Sequence, residues 1–201
     1  MQTLLGLFFC FVLITTGTAL ECEVCSDNSN NCTGRLQTCE AGQDRCAAVL
    51  TASTLVGFQI ITIYKTCVSS SDCSIGPKYM NFGPGKEIRS STTCCVGNAC
   101  RPANPQLPPA ITRPNGKWCP ACYTGPSNSN DREKVNCFGP ENQCLDMMAT
   151  ITYGTSVVRT TQRACVTQSI CDGLKTGKFE QSGFRISIIE AECKPAPTVS
   201  S

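Results

Sequence analysis

The chain opens with a continuous apolar run, Leu4 to Ile14 (LLGLFFCFVLI), followed by the small residues Gly17, Thr18 and Ala19. Eleven residues are too few to span a bilayer but suit the hydrophobic region of a secretory signal peptide, here with cleavage after Ala19. Beyond it the apolar residues gather in short β-branched runs broken by Gly and Pro, without a sustained 3.6-residue period. Ala47 to Thr66 (AAVLTASTLVGFQIITIYKT) and Leu145 to Ala164 (LDMMATITYGTSVVRTTQRA) are interrupted midway by Gly57 and Gly154, and each predicts a β-hairpin. Ser74 to Thr93 and Asp172 to Glu192 are interrupted in the same way and predict a further hairpin in each half. The pattern reads as all-β.

Cysteine changes this picture most. The chain holds 18 in 201 residues, with one Trp and 6% aromatics, so covalent staples supplement modest cores. Removal of the leader takes Cys10 and leaves 17, and an extracellular destination makes disulfides their expected state. From Cys39 the successive gaps are 7, 21, 6 and 21 residues; from Cys137 they are 7, 21, 6 and 22. TCEAGQDRC faces NCFGPENQC and KTCVSSSDC faces RACVTQSIC, which marks a tandem duplication with a period near 98. The expected organisation is a signal peptide (1–19), a first disulfide-rich domain (20–101), a linker (102–118), and a second domain with a short polar tail (119–201). The linker carries five of the 12 prolines in RPANPQLPPAITRPNG and favours extended, semi-rigid backbone. The end, KPAPTVSS, lacks the apolar tail of a lipid-anchor signal, so no membrane anchor is expected.

Charge narrows the function. Seventeen Lys+Arg against 15 Asp+Glu give no concentrated basic surface for nucleic acid or anionic membranes. The absence of His removes Ser-His and Cys-His nucleophile pairs and imidazole metal ligands, so neither an enzyme nor a cofactor is expected. ECEVC and CPAC share the CxxC spacing of redox and zinc sites, but they lie one domain period apart and read as structural half-cystines. Asp44, Glu141 and Asp146 show no matched pairing and read as solvated surface. Asn31-Cys32-Thr33 is a glycosylation sequon in a short loop, and Asn31 is the candidate acceptor.

The ten cysteines of the first half, ending in CCVGNAC, resemble the Ly-6/urokinase-receptor family of three-finger domains. That resemblance implies two tandem three-finger domains. In the first it implies Cys22–Cys46, Cys25–Cys32, Cys39–Cys67, Cys73–Cys94 and Cys95–Cys100. In the second, reduced domain it implies Cys119–Cys144, Cys137–Cys165 and Cys171–Cys193, although Cys193 also fits the register of Cys95. Cys122 is left over: a free thiol, a bridge to another subunit, and displacement of one of these pairs all remain open. The family usually places Asn after its last cysteine, where this chain has Arg101.

Two such domains, with ECEVC, TCEAGQDRC and a linker ending RPNGKWCP, resemble the γ-type phospholipase A2 inhibitors of snake serum. This implies a non-enzymatic secreted protein of blood plasma that binds and sterically blocks secreted phospholipase A2. It also implies an oligomer, built from like or related subunits. The alternative is a soluble receptor-like or adhesion protein of the same family, binding another ligand; a toxin-like channel ligand is disfavoured by the duplication. The resemblance places partner contact in Gln106 to Gly116, where Leu107, Pro108, Pro109, Ile111 and Pro114 form a preordered apolar stretch; a plain spacer is the other reading. The fingertips offer Leu55, Val56 and Phe58, with Tyr153 as the counterpart, serving either as an interface or as packing against the neighbouring domain.

Overall fold

The computed structural model describes residues 19–73, 76–124, 133–174, 176–181 and 184–199. The expected leader, apart from Ala19, lies outside them. Six strands form the first domain: β1 (Glu21–Asp27), β2 (Arg35–Thr38), β3 (Arg45–Ser53), β4 (Ile60–Val68), β5 (Gly76–Asn81) and β6 (Glu87–Cys95). The second repeats them as β7 (Pro114–Thr124), β8 (Glu133–Phe138), β9 (Glu141–Tyr153), β10 (Ser156–Thr167), β11 (Gly177–Gln181) and β12 (Phe184–Pro195), with a short helix α1 (Gln168–Asp172) after β10. Each of the four intervals read as hairpins forms one: β3–β4, β5–β6, β9–β10 and β11–β12 pair antiparallel. Gly57 turns the β3–β4 finger with φ at +92°, a region that β-branched neighbours would not enter. The fold is disulfide-rich and all-β, with two domains of the Ly-6/urokinase-receptor type.

Eight disulfides tie the strands: Cys22–Cys46, Cys25–Cys32, Cys39–Cys67, Cys73–Cys94 and Cys95–Cys100 in the first domain, and Cys119–Cys144, Cys137–Cys165 and Cys171–Cys193 in the second. At the base of the first domain the sulfurs of Cys22 and Cys39 are 3.3 Å apart, and those of Cys119 and Cys137 are 3.6 Å apart in the second. Each sulfur clustered there is held in a disulfide and offers no thiolate to a metal.

The two domains share one sheet. In β10, Cys165 and Val166 pair with Asn81 and Met80 of β5, which carries hydrogen-bonded strands from one repeat into the other. Beside this seam Phe82 of the first domain is buried with Leu145, Ala164 and Val166 of the second, flanked by Leu55, Met80, Ile88 and Met147. Residues 114–118, read as the end of the linker, are the start of β7, where Cys119 and Trp118 pair with β8. The polar tail is also used: Trp118 and Val199 donate backbone N–H groups to Pro197 and Gly116, at 3.1 and 2.8 Å.

A buried ion pair closes the first domain. Lys65 Nζ lies 2.8 Å from Glu23 Oε2, with both side chains only 5% exposed. The ammonium also donates to the Arg101 carbonyl at 2.9 Å, and Gly34 N–H donates to Glu23 Oε1 at 3.1 Å. Only glycine fits at 34, because a Cβ there would lie 2.0 Å from the Val24 carbonyl oxygen. Thus Lys65 holds the chain where Arg101 replaces the Asn usual in the family.

The hydrogen bond from Lys65 holds the Glu23 carboxyl below its ordinary range. Its stabilisation is complete above about pH 4.5 and is lost as pH falls through the depressed value. Lys65→Met leaves a buried carboxylate unpaired and should cost about 3 kcal/mol, whereas Glu23→Gln with Lys65→Met should recover most of that loss. Urea unfolding with disulfides intact measures both; equal losses in the single and double variants would refute the pairing.

Candidate functional site

The linker is a strap bound to the first domain's sheet. Leu107 packs on the cluster of Cys32, Leu50 and Ile63, and Pro108 is buried. Arg89 Nη1 donates to the Pro108 carbonyl at 2.9 Å, and the Tyr79 hydroxyl donates to the Pro109 carbonyl at 3.3 Å. Ile111 sits over Gly139 of the second domain so closely that a Cβ there would be 2.6 Å from its Cδ1. Of the five linker candidates, Leu107, Pro108 and Ile111 therefore serve packing within the chain, while Pro109 and Pro114 are exposed.

The β3–β4 fingertip divides its apolar residues. Leu55 packs on the interdomain cluster, whereas Val56 and Phe58 are 60% and 65% exposed on either side of Gly57. In the second domain the backbone of Tyr153 pairs with Ser156 and Phe184, while its side chain lies outside the described ones, as does that of Cys122. Val157, two residues past the Thr155 turn, is 66% exposed; its β-branched run reads as ordinary strand, so the sequence did not single it out beside the aromatic residue across the turn. Asn31 is exposed and its neighbour Cys32 is buried in the disulfide to Cys25.

Between the domains lies a cleft of about 450 Å³. Its walls are the β5–β6 turn (Gly83 to Glu87), Ile111 and Thr112 of the linker, and Glu133 to Asn136 with Phe138 of the second domain. Pro84, Ile111, Val135 and Phe138 make it partly apolar, and Glu141 at the start of β9 lines it while only 4% exposed. The solvated reading of Glu141 is thus corrected. The turn at Gly139-Pro140 aims Glu141 back under the linker, and its Oε2 accepts the Phe138 N–H at 2.8 Å. Asn81, anchored to the Asn136 carbonyl at 2.9 Å, hydrogen-bonds it from the first domain.

Burial pushes the Glu141 carboxyl up to about 7; the Phe138 and Asn81 hydrogen bonds oppose the shift and the nearby Glu87 charge adds to it. The other two carboxylates behave as surface groups. Asp146 pairs with Arg163 at 2.7 Å, and Asp44 accepts the Ser70 N–H at 2.6 Å beside Arg45. Sequence spacing could not mark Glu141 as different, since its burial is created by the linker and by a strand 60 residues away.

This architecture, with fingers projecting from paired disulfide bases in two fused units, defines a two-domain protein of the u-PAR/Ly-6 class. The profile for "u-PAR/Ly-6 domain" matches residues 115–195, and that for "Phospholipase A2 inhibitor" matches residues 20–102. Phospholipase A2 inhibitor NAI of Notechis ater is 31% identical over 98% of both chains. A gamma-type phospholipase A2 inhibitor chain of Laticauda semifasciata is 30% identical over 90% of this chain and 99% of its own. Phospholipase A2 inhibitor PIP of Malayopython reticulatus is 27% identical over 98% of this chain and 96% of its own. The chain belongs to the phospholipase A2 inhibitor family, gamma type.

Because the folded Glu141 carboxyl binds its proton more tightly than an unfolded one, this group favours the folded chain below about pH 4.5 and loses that advantage as pH rises through about 7. The difference amounts to about 3 kcal/mol. Glu141→Gln should therefore be more stable than the unaltered chain at about pH 8 and nearly equal to it at about pH 4.5. Denaturant melts at the two pH values measure this, and a pH-independent difference would contradict it.

Proposed function

We propose that this chain is a secreted, non-enzymatic inhibitor of secreted phospholipase A2 that circulates in plasma and acts by covering the enzyme's apolar substrate-entry or membrane-contact face. The observation that carries this reading is the similarity, over nearly the whole chain, to proteins named as phospholipase A2 inhibitors. Two features of the molecule suit the role. The fused sheet and strapped linker give a stiff body, and Val56, Phe58 and Val157 present apolar groups at finger ends. A rigid partner loses little conformational entropy on binding, and buried aliphatic and aromatic anchors contribute most of the affinity in such contacts. Of the five apolar linker candidates, Pro109 and Pro114 are the ones left facing solvent to extend that surface. Among the described residues no helix is long and apolar enough to cross a membrane.

Oligomer formation, with like or related subunits, is part of the same reading, and Cys122 is the candidate for a covalent link. Asn31 is the candidate glycan carrier, its exposed loop being accessible to modification.

Titration of purified secreted phospholipases with the recombinant mature chain should reduce hydrolysis to a saturable limit. Val56→Asp and Phe58→Asp should each weaken inhibition about tenfold to a hundredfold, as expected for losing one buried apolar anchor. Undiminished hydrolysis at saturating protein would overturn the reading. Cys122→Ser should abolish any dimer that reductant dissolves on a gel; a dimer that persists would free Cys122 from that role.

A further inference from the structure

The interdomain cleft combines an apolar wall with a deeply placed carboxylate that lacks a cation. Glu141 accepts N–H groups from Phe138 and Asn81, and among the described residues no ammonium or guanidinium reaches ion-pair distance of it. The other charges around the cleft are engaged or peripheral. Glu87 pairs with Arg89 at 3.0 Å, Lys134 Nζ lies 4.2 Å from the centre of the Trp118 ring, and Lys86 and Glu133 are exposed at the rim. Tyr79, which also faces Glu141, has its hydroxyl on the Pro109 carbonyl. With Glu141 ionised the lining carries a net charge of −1.

A buried carboxylate without a cation is expensive to keep ionised, and a carboxyl so perturbed by burial in a cleft marks a candidate binding site, where a cationic ligand would supply the missing charge. The volume of about 450 Å³ is in the range of small-ligand pockets, and its walls come from both domains and the linker. We propose that the cleft binds an ammonium or guanidinium group carried on a short apolar stem, with Glu141 as its counter-ion. The stem lies along Ile111, Val135 and Phe138, and the cation completes the acceptor sites that Phe138 N–H and Asn81 leave open on the carboxylate. This chemistry is that of a free alkylamine or of a lysine or arginine side chain.

The probe is n-butylammonium, which carries the lysine side chain's stem and head and stays protonated well above neutrality. Calorimetric titration of the mature chain at about pH 8 and constant ionic strength should show one saturable site. n-Butanol should bind at least about tenfold more weakly, and Glu141→Gln should weaken the ammonium by a similar factor. In the unaltered chain the ammonium's affinity should fall by at least about tenfold between pH 8 and pH 5, an arm that needs no variant. No saturable heat, equal binding of n-butanol, a flat pH profile, or unchanged affinity in a Glu141→Gln chain of native circular dichroism would overturn the proposal.

A second arm, which rests on the phospholipase reading above, separates the two sources of the cation. Relief of inhibition by saturating n-butylammonium assigns the cleft to a basic side chain of the enzyme, and unchanged inhibition assigns it to a free amine. A chain that inhibits no phospholipase would sink that reading while the first arm still decides the cleft.

Discussion

In both domains the strands diverge from a point where two disulfides touch, Cys22–Cys46 against Cys39–Cys67 and Cys119–Cys144 against Cys137–Cys165. Each bond closes a loop of 24 to 28 residues and removes unfolded conformations equivalent to about 3 to 4 kcal/mol. Among the described residues the fully buried members of the two base clusters are cysteines and Ala196, with Leu20 packed against the first, so sulfur takes much of the place that leucine or phenylalanine fills in larger cores. With the base fixed in this way the fingers can extend far from it, and their side chains are released from holding the fold.

What the fingers then bury lies chiefly between domains. Three cationic or hydroxylic side chains on the first domain's sheet, Lys65, Arg89 and Tyr79, take the carbonyls of Arg101, Pro108 and Pro109. Proline suits that course because it leaves few N–H groups needing partners while its carbonyls remain strong acceptors. The strap continues to Ile111 on Gly139, and so covers the cleft that holds Glu141.

The sequence made the repeat and the fingers legible because cysteine spacing and the glycines at 57 and 154 are local marks. The shared sheet was not legible. Met80 and Asn81 look like any strand residues, and their partners Val166 and Cys165 lie more than 80 positions away. The same limit explains Glu141, Leu55 and the inward-turned Leu107 and Pro108: their burial depends on a neighbour that the repeat does not specify. Residue chemistry alone left the apolar linker open between a partner contact and a plain spacer, and the geometry turns much of that apolar surface toward the sheet. The large apolar residues that remain most accessible among those described, Val56, Phe58 and Val157, were partly foreseen, since two of them flank a glycine turn.

The seam where β10 joins β5 gives the duplication a history that cannot easily be reversed. Phe82 is covered by Leu145, Ala164 and Val166, so either repeat released alone would expose an oily flank and an open strand edge to bulk water. Copies that began as interchangeable modules have become halves of one object, and genetic shuffling that moved one without the other would produce sticky fragments rather than smaller working proteins.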